Sequence, residues 1–71
     1  MRKQNRLWID VKKLRKERHW LQEEAAMELG VSRSYLSSIE NGRRGISINM
    51  MEEIIRVFNV KYEDFHKYRY S

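Results

Sequence analysis

Apolar residues recur along this chain at three- and four-residue spacing, in short runs separated by polar breaks. That pattern predicts several short amphipathic helices. Leu7, Val11 and Leu14 follow the spacing and predict a first helix from about Leu7 to His19. Ala25, Ala26 and Leu29 stand at i, i+1 and i+4, an inward stripe on a second helix that opens at Gln22. Gly30 follows, where a helix commonly ends in a left-handed residue that glycine tolerates best. Ser32 precedes a new helical pattern and is a natural N-cap. Leu36 and Ile39, at i and i+3, form the inward stripe of a third helix, and Arg33, Ser34, Ser37 and Ser38 fall on its opposite side. Asn41-Gly42 ends that helix, and Gly42 and Gly45 break the loop up to Ile46. A fourth helix starts near Ser47 or Asn49, with Asn49 and Glu52 spaced for a capping box. Met50, Met51, Ile54, Ile55, Val57 and Phe58 make it apolar on more than one face. Asn59-Val60-Lys61 reads as a turn, and a last short helix is expected from about Tyr62 to Tyr68. Residues 1 to 6, M-R-K-Q-N-R, read as a polar arm.

The segment from Gln22 to Gly42 is two short helices joined by the tight turn Leu29-Gly30-Val31-Ser32. The second carries small polar side chains and one arginine outward. A helix of that kind fits a DNA major groove and leaves polar groups free to meet base edges. Arg33 is the best base reader, because arginine can bind guanine O6 and N7 with two hydrogen bonds; a phosphate contact is its alternative. Ser34, Ser37 and Ser38 are short enough to meet bases directly, through water, or as phosphate donors. Tyr35 has three open roles: a hydroxyl on a phosphate, a ring on a thymine methyl, or a scaffold contact with the preceding helix. Gln22 opens its helix, where its amide and the free backbone N–H groups can face a phosphate. His19 reads as a helix-end residue rather than a ligand or base.

Composition narrows the choice of function. Seventy-one residues allow one domain, which buries only about 60% of its unfolded surface, so a large catalytic cleft is not expected. The sequence carries neither a nucleophile–base pair nor a phosphate-cradling glycine loop, and an enzyme is not expected. Zero cysteines exclude disulfide staples and fit a reducing cytoplasm, and two histidines alone make a poor metal site. No metal, cofactor or small-molecule ligand is therefore expected. No apolar run approaches the roughly 18 residues a membrane span needs. Fifteen Lys and Arg against ten Asp and Glu give a formal charge of +5. Residues 1 to 19 hold eight positive and two negative charges, and residues 31 to 45 hold three arginines and one glutamate. Such sidedness is an electrostatic footprint for a polyanion, although for Lys12, Lys13 and Lys16 a solvated helix face explains it equally well.

Arg15, Gln22-Glu23-Glu24, Ala26, Leu29-Gly30-Val31-Ser32, Ser37, Ile39-Glu40-Asn41-Gly42 and Arg43-Arg44 together resemble the Cro and phage-repressor type of helix-turn-helix, the XRE family. The resemblance runs from about Val11 to Phe65. Arg33 to Ser37, with Ile39-Glu40 and Arg43 to Ser47, also looks like the controller proteins of restriction-modification systems. The resemblance implies an all-α fold, a compact bundle of five helices with the helix-turn-helix at about 21 to 41. It implies that Arg15 and Glu40 form a buried ion pair tying the first helix to the end of the recognition helix. It also implies that Arg43 and Arg44, with Ser47 and help from Asn41, clamp phosphates. The chain departs from the family at Leu21, where Ser or Thr usually precedes the glutamine. It departs at Ala25, where Leu is usual and whose missing volume Trp20 is expected to fill. It also has no proline near Ile46.

The last third is richer in apolar residues than one small core requires. Ile46, Ile48, Met50, Val57, Val60, Tyr62 and Phe65 are therefore expected to line a dimer interface within residues 46 to 71, with Tyr68 either joining them or, with Tyr70, covering the core. The expectation is a cytoplasmic homodimeric regulator, a repressor or autoregulator that binds double-stranded DNA at a pseudo-palindromic operator. The alternative is an antitoxin-type protein-interaction module that also regulates itself through DNA.

Overall fold

The computed structural model describes residues 9–61 together with Glu63 and Asp64. Four α-helices and no strand occur among them: α1 (Val11–Glu17), α2 (Gln22–Leu29), α3 (Arg33–Glu40) and α4 (Ile48–Phe58). The expected last helix at about 62 to 68 falls mostly outside the described residues, as do the arm, Leu7 and Trp8. Only Glu63 and Asp64 of that stretch are seen, in one tight turn in which the Asp64 N–H donates to the Lys61 carbonyl at 2.9 Å.

Local chemistry sets each boundary. The first helix starts later than the apolar spacing indicates, because the Asp10 carboxylate accepts the Lys13 N–H at 3.1 Å and caps the helix there. Ile9 precedes that cap, yet it is buried in the core. Helix α2 ends at Gly30, whose φ of 74° lets its N–H and that of Val31 close onto the carbonyls of Met27 and Ala26. Ser32 Oγ then accepts the Tyr35 N–H at 3.0 Å and starts α3. Ser47, not Asn49, caps α4: its Oγ accepts the Met50 N–H at 3.0 Å. Asn59 ends α4 in the left-handed region at φ 53°.

The α2 start shows how the chain manages without the usual capping hydroxyl. Leu21 has no side-chain acceptor, but its own N–H donates to the Glu24 carboxylate at 2.7 Å. That is one half of a capping box, made by the N3 residue alone.

The core gathers Ile9, Val11, Leu14, Ala25, Ala26, Leu29, Leu36, Ile39, Ile46, Met51, Ile54 and Phe58. The predicted inward stripes of α2 and α3 are buried, α1 contributes Val11 and Leu14, and α4, apolar on more than one face, buries Met51, Ile54 and Phe58. Ala25 and Ala26 bury small side chains, which allow close approach of neighbouring helices. Trp20 is half-buried, and its ring lies 5.4 Å from that of Phe58 in a tilted contact. Arg18 closes the same end of the bundle. Its guanidinium sits 5.1 Å from the Phe58 ring centroid, donates to the Phe58 carbonyl, and reaches the Leu14 carbonyl at 3.4 Å. A long basic side chain here ties the ends of α1 and α4 together.

Ile46 corrects the expectation for the dimer interface. Only 4% exposed, it belongs to the chain's own core and offers no side chain to an interface. Ile48 is exposed, Met50, Val57 and Val60 are half-buried against the core, and Tyr62 and Phe65 lie outside the described residues.

Candidate nucleic-acid interface

Helix α3 divides its surface sharply. Leu36, Ile39 and Glu40 are buried, while Arg33 and Ser34 are exposed and Ser37 and Ser38 half-exposed on the other side. Leu36 and Ile39 anchor the helix on α2 and the core, so the outward residues are held at fixed positions without contributing to the packing. Gln22, Arg33, Ser34 and Ser37 line an open polar cleft of about 250 Å³ between the start of α2 and the outer face of α3.

A buried ion pair fixes the end of α3. Arg15 Nε–H donates to Glu40 Oε2 at 2.7 Å and Arg15 Nη2–H to Glu40 Oε1 at 3.0 Å, a two-pronged contact between α1 and the last residue of α3. A third guanidinium hydrogen bond runs from Nη1 to the Trp20 carbonyl at 3.0 Å. Both residues are buried, Arg15 at 9% and Glu40 at 5% exposure. The hydrogen bond that Arg15 donates to Glu40 is the main cause that raises the Arg15 pKa above its ordinary value; desolvation opposes it, and the carboxylate's charge adds to the rise. The pair is neutral overall, so the charge that this part of the molecule presents outward comes from its exposed arginines.

Gln22 is drawn into this pair. Its Nε2 donates to Glu40 Oε1 at 3.0 Å, and its Oε1 accepts the Arg33 Nε–H at 3.4 Å. The side chain expected to meet a phosphate is therefore engaged inside the protein. The backbone N–H groups at the start of α2 remain the part of Gln22 suited to a phosphate.

The loop after α3 folds back on the helix. The N–H groups of Arg43 and Arg44 donate to the Ser38 carbonyl at 3.0 and 3.3 Å, and Asn41 Nδ2 reaches Ser37 Oγ at 3.4 Å. Both arginine side chains are exposed. The Arg44 guanidinium lies over the Tyr35 ring at 4.9 Å from its centroid. One face of the half-buried Tyr35 is thus occupied by Arg44, which gives Tyr35 a supporting role besides any contact of its hydroxyl. Arg33 and Ser34 in the first turn of α3, and Arg43 and Arg44 beyond its end, bracket the serines with positive charge. Among the described residues no helix is long and apolar enough to cross a membrane.

A short α3 with a polar outward face, locked to α2 through a left-handed turn and to α1 through a buried ion pair, defines a helix-turn-helix protein. The chain belongs to the helix-turn-helix family of XRE type, which it matches over residues 11–65. It is 46% identical over 50 residues to the ImmF control region 10 kDa protein of Bacillus phage phi105, an alignment that covers 70% of this chain and 56% of the phage protein. It is 40% identical over 55 residues to the antitoxin PezA of Streptococcus pneumoniae, covering 78% of this chain and 35% of PezA. The chain thus spans less than two thirds of the length of either relative. Its structure is similar to that of the restriction-modification controller protein C.Esp1396I bound to a 25 base pair operator site. The TM-score is 0.67 at 32% identity, covering 80% of this chain and 75% of that one.

Proposed function

We infer that the chain is a sequence-specific double-stranded DNA-binding transcriptional regulator of the restriction-modification controller kind, a repressor or autoregulator acting in the cytoplasm. The observation that carries this is the outer face of α3. Arg33 and Ser34 stand free of the core in the first turn, the part of a recognition helix that enters a major groove. The exposed Arg43 and Arg44 follow its end, where phosphates would lie. Arg33 is assigned to base reading with Ser34, Ser37 and Ser38, and Arg43 and Arg44 to phosphates. Likeness to a controller that carries operator DNA supports the same reading.

The protein acts as a homodimer on a pseudo-palindrome in this proposal. Ile48 is 66% exposed at the start of α4, and Met50, Val57 and Val60 stand half-buried on or beside the same helix. With Tyr62 and Phe65 they would form the two-fold contact. The antitoxin alternative has weaker support, because the match to PezA leaves most of that protein uncovered, whereas the controller match spans three quarters of its chain.

Selection of bound sites from random duplexes, followed by sedimentation of the complex, tests this. The expected result is two protomers on half-sites about 10 base pairs apart. Affinity should fall steeply with salt, by about 0.9 in log–log slope for each phosphate contacted. A lone protomer on one asymmetric site, or affinity indifferent to salt, would overturn it.

A further inference from the structure

The end of α4 is fastened to the end of α3 through one aromatic ring. Trp20 lies in the connection between α1 and α2, and Arg15 holds its backbone twice. The Trp20 N–H donates to the Arg15 carbonyl at 3.1 Å, and the Trp20 carbonyl accepts from Arg15 Nη1 at 3.0 Å. Arg15 in turn grips Glu40, the last residue of α3. The half-buried Trp20 ring meets Phe58, the last residue of α4, with centroids 5.4 Å apart. Arg18 braces the same residue, with its guanidinium 5.1 Å from the ring centroid and a hydrogen bond donated to the Phe58 carbonyl. Two more carbonyls that a helix end leaves open are taken as well: the Val60 N–H closes on Ile55 at 3.0 Å and the Asn59 N–H on Arg56 at 3.3 Å. Glu40, Arg15, Trp20 and Phe58 thus join α3 to α4 in three contacts, and they do so beside Val57 and Val60, which belong to the two-fold surface inferred above.

We propose that Trp20 is a positioning residue for half-site spacing: by seating the end of α4 against the Arg15–Glu40 pair, it sets the offset between the two-fold surface and α3, and with it the separation of the two recognition helices. Small changes in that seat matter. Helix α4 has 11 residues, about 16 Å of length at 1.5 Å per residue. A tilt of roughly 6° displaces one end of such a rod by about 1.7 Å. Two-fold symmetry applies the displacement on both sides, and the sum of about 3.4 Å is the rise of one base pair. An aromatic pair suits the task, because ring-on-ring contacts prefer particular angles as well as distances. An aliphatic side chain keeps the apolar cover and loses that preference. The proposal rests on the homodimeric reading of a pseudo-palindrome. It adds that a residue on neither helix of the helix-turn-helix selects how far apart the half-sites stand.

Two measurements on the full chain test it. The first needs no DNA. The sequence has no cysteine, so Glu23→Cys on the exposed side of α2 gives one spin-label site per protomer. The label-to-label distance in the dimer, read by pulsed electron resonance, should shift or broaden by about 2–4 Å when Trp20→Leu is added. Trp20→Phe, which keeps a ring on Phe58, should leave it in place. The second uses three duplexes that carry the same two selected half-sites, at the selected spacing and one base pair shorter or longer. The parent should prefer the selected spacing by about tenfold or more, because a wrong spacing sacrifices contacts in one half-site. Trp20→Leu should cut that preference by about five- to tenfold or move it by one base pair. Arg18→Met, which frees the Phe58 carbonyl, should weaken it too, and Trp20→Phe should keep it. A loss of folding or of dimer lowers binding to all three duplexes by one factor and cancels in the ratio, so a merely structural residue leaves the preference unmoved. Melting curves identify the folded variants. An unchanged preference or an unmoved label distance in folded Trp20→Leu overturns the spacing role and leaves the homodimer standing. Should Trp20→Leu not fold, an unchanged preference in Arg18→Met overturns it instead. A parent that sediments as a monomer on DNA, or binds all three spacings alike, overturns the homodimeric reading and the spacing role together.

Discussion

Arg15→Met is the sharpest test of how this small domain is held together. Methionine keeps the apolar stem of the side chain and removes the guanidinium. Three hydrogen bonds go: two to the Glu40 carboxylate, at 2.7 and 3.0 Å, and one to the Trp20 carbonyl at 3.0 Å. Glu40 stays where it was, 5% exposed, with its counter-charge gone. Leaving one member of a buried pair uncompensated costs about 3–5 kcal/mol. A chain of this length has roughly 4–10 kcal/mol of total stability, taking about 0.05–0.15 kcal/mol per residue. The loss therefore takes about three tenths of the stability at least and all of it at most. At about 4–8 °C per kcal/mol the midpoint should fall by roughly 12–40 °C. Thermal and urea unfolding followed by far-ultraviolet circular dichroism measure this directly. Replacing both partners, Arg15→Met with Glu40→Leu, should recover most of the loss, because an apolar pair of similar volume is often as stable as the ion pair or more so. The arginine side of the pair should carry no pH dependence in the neutral range. Its pKa is raised by Glu40, so its contribution is complete below the ordinary arginine value and is lost only as pH climbs through the still higher folded value. A deficit below about 1 kcal/mol for Arg15→Met, the worth of a surface pair, would refute the reasoning. So would a double replacement no more stable than the single one.

Ser47→Ala should cost about 1 kcal/mol by removing the acceptor for the Met50 N–H, whereas Asn49→Ala should be almost silent in the same urea titration. Gly30→Ala meets no atom within 4 Å of the added Cβ, so only the left-handed backbone at φ 74° is strained, at about 1–2 kcal/mol; a stabilised variant would contradict the assigned turn. Arg33→Ala should flatten preference at one base pair per half-site and leave non-specific binding nearly intact. Arg43→Ala should weaken all sequences alike and lower the salt slope by about one unit, both read on a panel of operator variants at two salt concentrations.

The inward stripes Ala25-Ala26-Leu29 and Leu36-Ile39, and the turn at Gly30, were legible in the sequence because each depends on neighbours three or four residues away. The boundaries that depend on which polar side chain wins a backbone N–H were less so. Asp10 stops α1 short of the apolar pattern, and Ser47 takes the cap from Asn49. Glu24 carried a visible signal, a glutamate three residues after the N-cap position, that compensates for Leu21. Contacts across the bundle had no signature in spacing. Ile46 looked like spare apolar surface until the fold wrapped it into the core. The seat of Arg18 on Phe58 depends on how the ends of α1 and α4 pack, which no local pattern encodes. The engagement of Gln22 by both Glu40 and Arg33 joins positions 18 and 11 residues apart, which only the crossing of α2 and α3 brings together.

The division of α3 into a buried side and an outward side has a consequence for engineering. Arg33 and Ser34 are exposed and lie outside the packed cluster, so exchanging them should alter stability by no more than about 0.5 kcal/mol. The loop arginines meet Ser38 through its carbonyl, which every amino acid supplies. A combinatorial library at positions 33, 34 and 38 would therefore sample new target sites on an unchanged body, and its losers would fail by binding nothing rather than by unfolding.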